Sequence, residues 1–193
     1  MAIDSPRIEA AVSELLAAIG EDPARPGLQS TPRRVAEAYG EFFAGIGQDP
    51  LEPLRDAKDL IAEEGELGEL VLLRDVDFRS ICEHHLLPFV GVAHLAYVPG
   101  SRIVGLGRLP RVVEILSSRP QLQERLGEEI VGALQAGLDP EGVLVVLDAR
   151  HGCVTARGTR QVDSTTVTIA SRGTLSEPAT QAAVLATIAR GVE

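Results

Sequence analysis

Lysine is almost absent: Lys58 stands alone among the 18 lysines and arginines of a 193-residue chain. Any phosphate bound here must therefore be held by arginine, whose fork of N–H groups meets an anion in pairs. Cysteine and histidine are nearly as scarce, with two and four copies. Two cysteines are too few for a disulfide framework. A single Cys82–Cys153 bridge is available in principle, but in a cytosolic chain a metal or catalytic role suits such a pair better. No apolar run approaches the roughly 20 residues needed to cross a bilayer. The first residues lack the basic start and apolar stretch of a secretory signal. A soluble cytoplasmic protein, away from membranes, is expected. A basic stripe is missing as well, and the net charge of −10 argues against nucleic acid as the main partner. Repeats and low-complexity tracts are also missing. The 45% hydrophobic and 24% charged content fits an ordinary globular protein. The length suits one domain with a helical extension.

The N-terminal third reads as helical. Asp4 or Ser5 can cap a first helix with Pro6 at its start, and Ile8, Val12, Leu15, Leu16 and Ile19 form its apolar stripe. A Pro- and Gly-rich loop leads to a second helix from Ser30-Thr31-Pro32, carrying Val35, Ala38, Tyr39, Phe42 and Phe43 and ended by Gly45 and Gly47. Residues 48–66 are acidic and irregular, with a short helix expected near 55–63. From residue 67 the pattern changes. Strands are predicted at 70–78 and 89–98, helices at 110–117 and 120–136 with Gly137 as the stop, and strands at 143–147 and 164–171. A last helix is predicted from about Pro178 to Arg190. The chain thus divides into a helical region, 1–66, and a body, 67–193. Strands adjacent in sequence favour an α+β fold with an antiparallel sheet.

Five of the six cysteines and histidines fall in two short windows, Cys82-Glu83-His84-His85 and His151-Gly152-Cys153. Both lie just beyond predicted strands, where loops present functional groups. The C-x-x-H spacing lets Cys82 and His85 reach one ion, and Cys153 offers a third ligand. Thiolate and imidazole suit zinc, and three protein ligands leave a fourth position open, as in a catalytic site. Such a metal makes hydroxide available near neutral pH, and His84 and His151 are then natural proton carriers. A closed four-ligand site using His84 or His151 remains open on spacing alone. His94 falls mid-strand in phase with Val90, Val92 and Ala96 and reads as structural. Gln123 and Glu124 sit on a predicted helix, where a polar pair is ordinarily a solvated face; a carboxylate beside an amide also suits the N–H edge of guanine. Arg108, Arg111, Arg119 and Arg157 would each pass for surface charge, yet they lie next to Gly105-Leu-Gly107 or Cys153, which makes a phosphate site plausible. Gly105-x-Gly107 itself is no dinucleotide fingerprint.

The stretch Cys82 through Phe89, followed by Ala93 through Pro99, resembles the signature of the type I GTP cyclohydrolases. So do Arg119 through Leu126, His151 through Gly158, and the helix motif from Gly27 to Tyr39. The likeness covers about residues 27–173 in order. It implies that Cys82, His85 and Cys153 hold zinc and that His84 and His151 are the acid/base pair. It further implies that Gln123 and Glu124 hold guanine and that Arg157, Arg111 and Arg108 hold the triphosphate. The implied fold is the tunnelling fold, a ββααββ unit whose antiparallel sheet carries its helices on one face. The implied assembly is a homodecamer with pockets at subunit interfaces. The implied reaction opens GTP at C8, releases formate, rearranges the ribose and closes to 7,8-dihydroneopterin triphosphate. Two positions depart from the family: Gly107-Arg108 replaces the usual Ser-Lys, and Gln181-Ala-Ala-Val-Leu185 replaces a C-terminal Arg-x-Glu-Phe-Leu.

Two other readings share these residues. A nitrile reductase of deazaguanine metabolism has a similar architecture, but uses a nucleophilic cysteine and NADPH without zinc. A catalytically impaired paralogue would keep zinc as a structural staple and act as a binding protein. A staple has no use for His84, His151, Gln123 and Glu124.

Overall fold

Two helices come first, as the capping and the apolar spacing predict. In the computed structural model α1 spans Ser5–Ala18, its start capped by Asp4, whose Oδ1 accepts from the Arg7 N–H at 3.1 Å. α2 spans Thr31–Phe42 and packs against α1. α1 buries no residue of its own, and Leu15 and Ile19 of its stripe are exposed. The structure describes residues 3–59 and 69–189. The expected division at 66/67, the end of the short helix expected near 55–63, and Arg190 lie outside the described residues. Over 55–59 that helix does not form. Glu52–Leu54 makes a single 3-10 turn, and Lys58–Asp59 (β1) pairs antiparallel with Arg102–Ile103 (β4). Leu54 is buried in the core of the body, and this anchor sets the local path.

The body is a five-stranded sheet in the order β5 (Pro120–Gln121), β2 (Val71–Cys82), β3 (Pro88–Val98), β6 (Gly142–His151), β7 (Thr166–Gly173). All neighbours are antiparallel except the two-residue β2–β5 bridge. Alternate side chains take opposite faces. Phe89, Ala93, Leu95 and Tyr97 point into the main core with residues of α3 (Arg108–Ser117) and α4 (Gln123–Leu138), such as Val112, Leu116, Leu126 and Leu134. Ala96, Leu144 and Val146 point the other way, where Leu175 of the 3-10 turn Thr174–Ser176 and Val184 of α6 (Pro178–Ala189) cover one end of the sheet. The α+β class and the antiparallel sheet agree with the sequence reading, and α6 adds a second layer behind it.

Four boundaries differ for physical reasons. β2 runs on to Cys82 and β6 to His151, so each chemical window opens inside a strand end rather than beyond it. α4 starts at Gln123, not Pro120. Pro120 and Gln121 are drawn into pairing with Ile81 and Cys82, and Leu122 is extended. α4 also runs past Gly137 to Leu138, where Asp139 takes the left-handed turn at φ 47°. Gly137 instead makes room: a Cβ there would stand 2.4 Å from Leu54 Cδ1.

His94 is structural, as its phase predicts, and only 7% exposed. Its Nδ1 accepts the Asp75 N–H at 3.2 Å, which holds the β-bulge where Asp75 has φ 57°. Burial lowers its pKa, the carboxylates of Asp75 and Asp148 oppose that shift, and Arg74 adds to it. The unfolded chain therefore takes up this proton first. The stabilising effect is present above about pH 6.5 and is lost as pH falls below it. Thermal midpoints measured at pH 7.5 and 5.5 are expected to fall less in His94→Gln than in the parent; equal falls would dismiss this role.

Candidate active site

The Cys-x-x-His turn is closed by its own backbone. The Cys82 N–H donates to Leu87 O and the Leu86 N–H to Cys82 O, both at 2.9 Å, with Leu86 left-handed at φ 51°. The Glu83 N–H donates to Gln121 O at 3.1 Å, which ties the turn to the start of α4. Glu83 also pairs with Arg125 of α4. On the other side of β3, His151 ends β6 directly opposite Phe89. The chain then turns into α5 (Gly152–Thr155), a short helix folded against β3. Glycine is required at its first position, since a Cβ on Gly152 would stand 2.8 Å from Pro88 O.

This close approach brings Cys153 over the turn. Ligand atoms of Cys82, His85 and Cys153 all lie within 4.8 Å of one another. Cys82 is buried, Cys153 partly buried and His85 exposed. Burial pushes the Cys153 thiol pKa up, and the neighbouring Cys82 adds to the effect. The Cys153 thiol is thereby held in its protonated form until a cation replaces its proton. The Arg157 guanidinium donates to His85 Nε2 at 3.1 Å. A guanidinium has no acceptor, so that nitrogen carries a lone pair, as in an imidazole able to ligate a metal. Two thiols and an imidazole converging this closely are a donor set that fits zinc.

His84 is exposed on the same turn, its ring 6.3 Å from that of His85. His151 stacks on the buried Phe89 ring at 4.7 Å with 2° between the planes, and its Nε2 lies 2.6 Å from Gln123 Oε1. Burial lowers the His151 pKa, opposed by the Glu124 carboxylate. Glu124 itself is exposed beside a cleft of about 220 Å³ between α4 and β7, lined also by Gly127, Glu128, Thr168, Ile169 and Ala170. Larger cavities of about 450, 470 and 350 Å³ include none of these groups.

These features coincide with a known family. The GTP cyclohydrolase I sequence profile matches residues 8–189. The chain belongs to the GTP cyclohydrolase I family. GTP cyclohydrolase 1 of Leifsonia xyli is 59% identical over 97% of this chain and 97% of its own. GTP cyclohydrolase 1 of Acetivibrio thermocellus is 48% identical over 96% and 98%, and that of Streptomyces griseus 47% over 97% and 92%. A solved archaeosine synthase QueF-Like in the apo form aligns with 56% of this chain at 15% identity and a TM-score of 0.45, too loose a likeness to bear on the site.

Within this family member, two of the expected phosphate arginines stand apart from the cluster. Arg108 pairs with Asp56 at 2.6 Å, just after the turn whose Leu54 packs on Gly137 near the end of α4. Gln123 opens the same helix, 2.6 Å from His151 and beside the Cys82–His85–Cys153 cluster. The 14 residues between Gln123 and Gly137 span about 21 Å at ~1.5 Å per residue. Arg111 lies one turn after Arg108 and pairs with Glu114 at 2.6 Å. One chain therefore joins Cys82, His85, Cys153, His84, His151, Gln123, Glu124 and Arg157, and leaves Arg108 and Arg111 at its other end. Phe89 escaped the sequence reading as a site residue. Its stacking partner is 62 positions away, and only the β3–β6 register connects them.

Proposed function

We propose that the chain is a zinc-dependent GTP cyclohydrolase acting in the cytoplasm. It hydrolyses GTP to 7,8-dihydroneopterin triphosphate and formate, the first step toward tetrahydrofolate and related pterins. The observation that carries this reading is the Cys82–His85–Cys153 cluster, flanked by His84 and His151. Relatives named GTP cyclohydrolase 1, up to 59% identical, support the substrate. Bound zinc supplies Lewis acidity and makes hydroxide available near neutral pH.

The chain's own residues do the rest. Glu124 accepts from the N–H edge of guanine, with Gln123 preceding it on the helix. His151 takes a proton from the attacking water at Nδ1 and returns it to a purine ring nitrogen as the C8–N bond opens. His84, free on the turn, carries protons during the ribose rearrangement and reclosure. Arg157 takes the near end of the triphosphate; Arg108 and Arg111 take the rest. Arg108 replaces the family's lysine, which keeps the charge and changes the geometry.

The distance of Arg108 and Arg111 from the cluster supports a pocket made from two copies of the chain, the cluster of one facing α3 of another. The sheet supports self-association as well. β7 is an eight-residue edge strand with Val167 and Ile169 exposed, and such edges invite pairing. The exposed stripe of α1 is a second unpartnered surface. A homodecamer is the assembly that the family resemblance implies.

The test is GTP turnover by the purified protein, followed as pterin absorbance before zinc chelation, after it, and after zinc is returned. Turnover that chelation abolishes and zinc restores is the expected result. A folded, zinc-loaded protein that makes no pterin would sink the enzymatic reading and leave zinc as a staple in a binding protein.

A further inference from the structure

Gln123 is 1% exposed, unusual for a side chain expected to read a base. Its amide is fully committed inside the protein. Nε2 donates to Leu147 O at 3.0 Å, to Thr166 O at 2.8 Å and to Thr168 Oγ1 at 3.2 Å, reaching both β6 and β7. Exchanging the amide oxygen and nitrogen would turn a carbonyl toward two carbonyl oxygens, so this orientation is settled by its surroundings. Oε1 therefore faces His151 Nε2, at 2.6 Å. An amide oxygen only accepts, so the hydrogen of that contact belongs to the imidazole.

We infer that Gln123 is a positioning residue for His151: it fixes the ring as the Nε2–H tautomer and leaves Nδ1 as the one nitrogen available to substrate. Phe89 completes the clamp. Its ring lies parallel to the imidazole, so stacking sets the plane while Gln123 sets the rotation within it. No hydrogen of the Gln123 amide is left over for guanine, and base recognition falls to Glu124, the next residue on the helix. The consequence for turnover rests on the cyclohydrolase reading; the tautomer does not.

Two measurements test the assignment. The first uses zinc-loaded protein labelled with nitrogen-15 in histidine, and long-range proton–nitrogen spectra. There are only four histidines, and His151→Asn identifies the ring by its missing signals. The His151 ring is expected to carry its hydrogen on Nε2 with Nδ1 bare. A hydrogen on Nδ1 would overturn the inference, whether or not the protein turns over GTP. The second compares Gln123→Met with Gln123→Glu, which keeps an oxygen for His151. Gln123→Met is expected to lower kcat by about ten- to a hundredfold while KM and the equilibrium Kd for GTP move less than about threefold, and Gln123→Glu to recover part of the loss. A KM and Kd raised tenfold or more at unchanged kcat would assign the side chain to guanine instead. Should neither variant fold, the spectrum of the parent protein decides alone.

Discussion

Cys153→Ser is expected to reduce bound zinc from about one ion per chain to below about a tenth, and GTP turnover by about a thousandfold or more. Among the described residues the cluster has three donors, and no fourth side chain joins them. His84 shares the turn with His85, but His151 is locked onto Gln123 and Phe89 and cannot swing to the metal without losing both contacts. A serine hydroxyl is a poor zinc ligand at neutral pH beside a thiolate. The fold should survive, because Cys153 lies on a four-residue helix with no buried residue. Elemental analysis, pterin absorbance and far-ultraviolet circular dichroism on one preparation separate these effects. A folded variant that keeps its zinc would remove Cys153 from the ligand set.

Mixing two inactive copies should restore activity. His151→Asn damages the cluster side of the chain, and Arg108→Ala with Arg111→Ala damages the far end. If each pocket takes its cluster from one copy and α3 from another, a random mixture at equal amounts leaves about a quarter of the pockets with both halves intact. Co-expressed, differently tagged copies purified through both tags should then show about a quarter of the parent turnover, against about a hundredth or less for either variant alone. The physical basis is the length of α4, which separates the arginines from the cluster within one chain. Mixed assemblies as inactive as their parents would mean that the pocket is built within a single copy, or that these arginines do not meet the triphosphate.

The residues alone singled out the Cys82–His85–Cys153 donor set that the fold brings together. Cysteine and histidine are so rare here that their crowding into two windows marks a candidate metal site without any fold, and C-x-x-H spacing follows from the reach of a single turn. The helical start, the antiparallel α+β class and the structural place of His94 were legible too, because capping and periodicity are local properties. What the chain order hides is anything set by register or by packing at a distance. Residues 120 and 121 look like the start of a helix, but β2 takes them as a strand. Gly137 looks like a stop signal, but it is a gap left for Leu54. Gln123 reads as a polar residue on a solvated face, and only the burial of its amide between β6 and β7 shows that its partners are His151 and the backbone. Arg108 and Arg111 sit as close to the cluster in sequence as Gln123 does. Arg108 instead pairs with Asp56 near the far end of α4, a helix that runs about 21 Å from Gln123 to Gly137; which end of that helix α3 starts from is set by packing, and chain order does not show it.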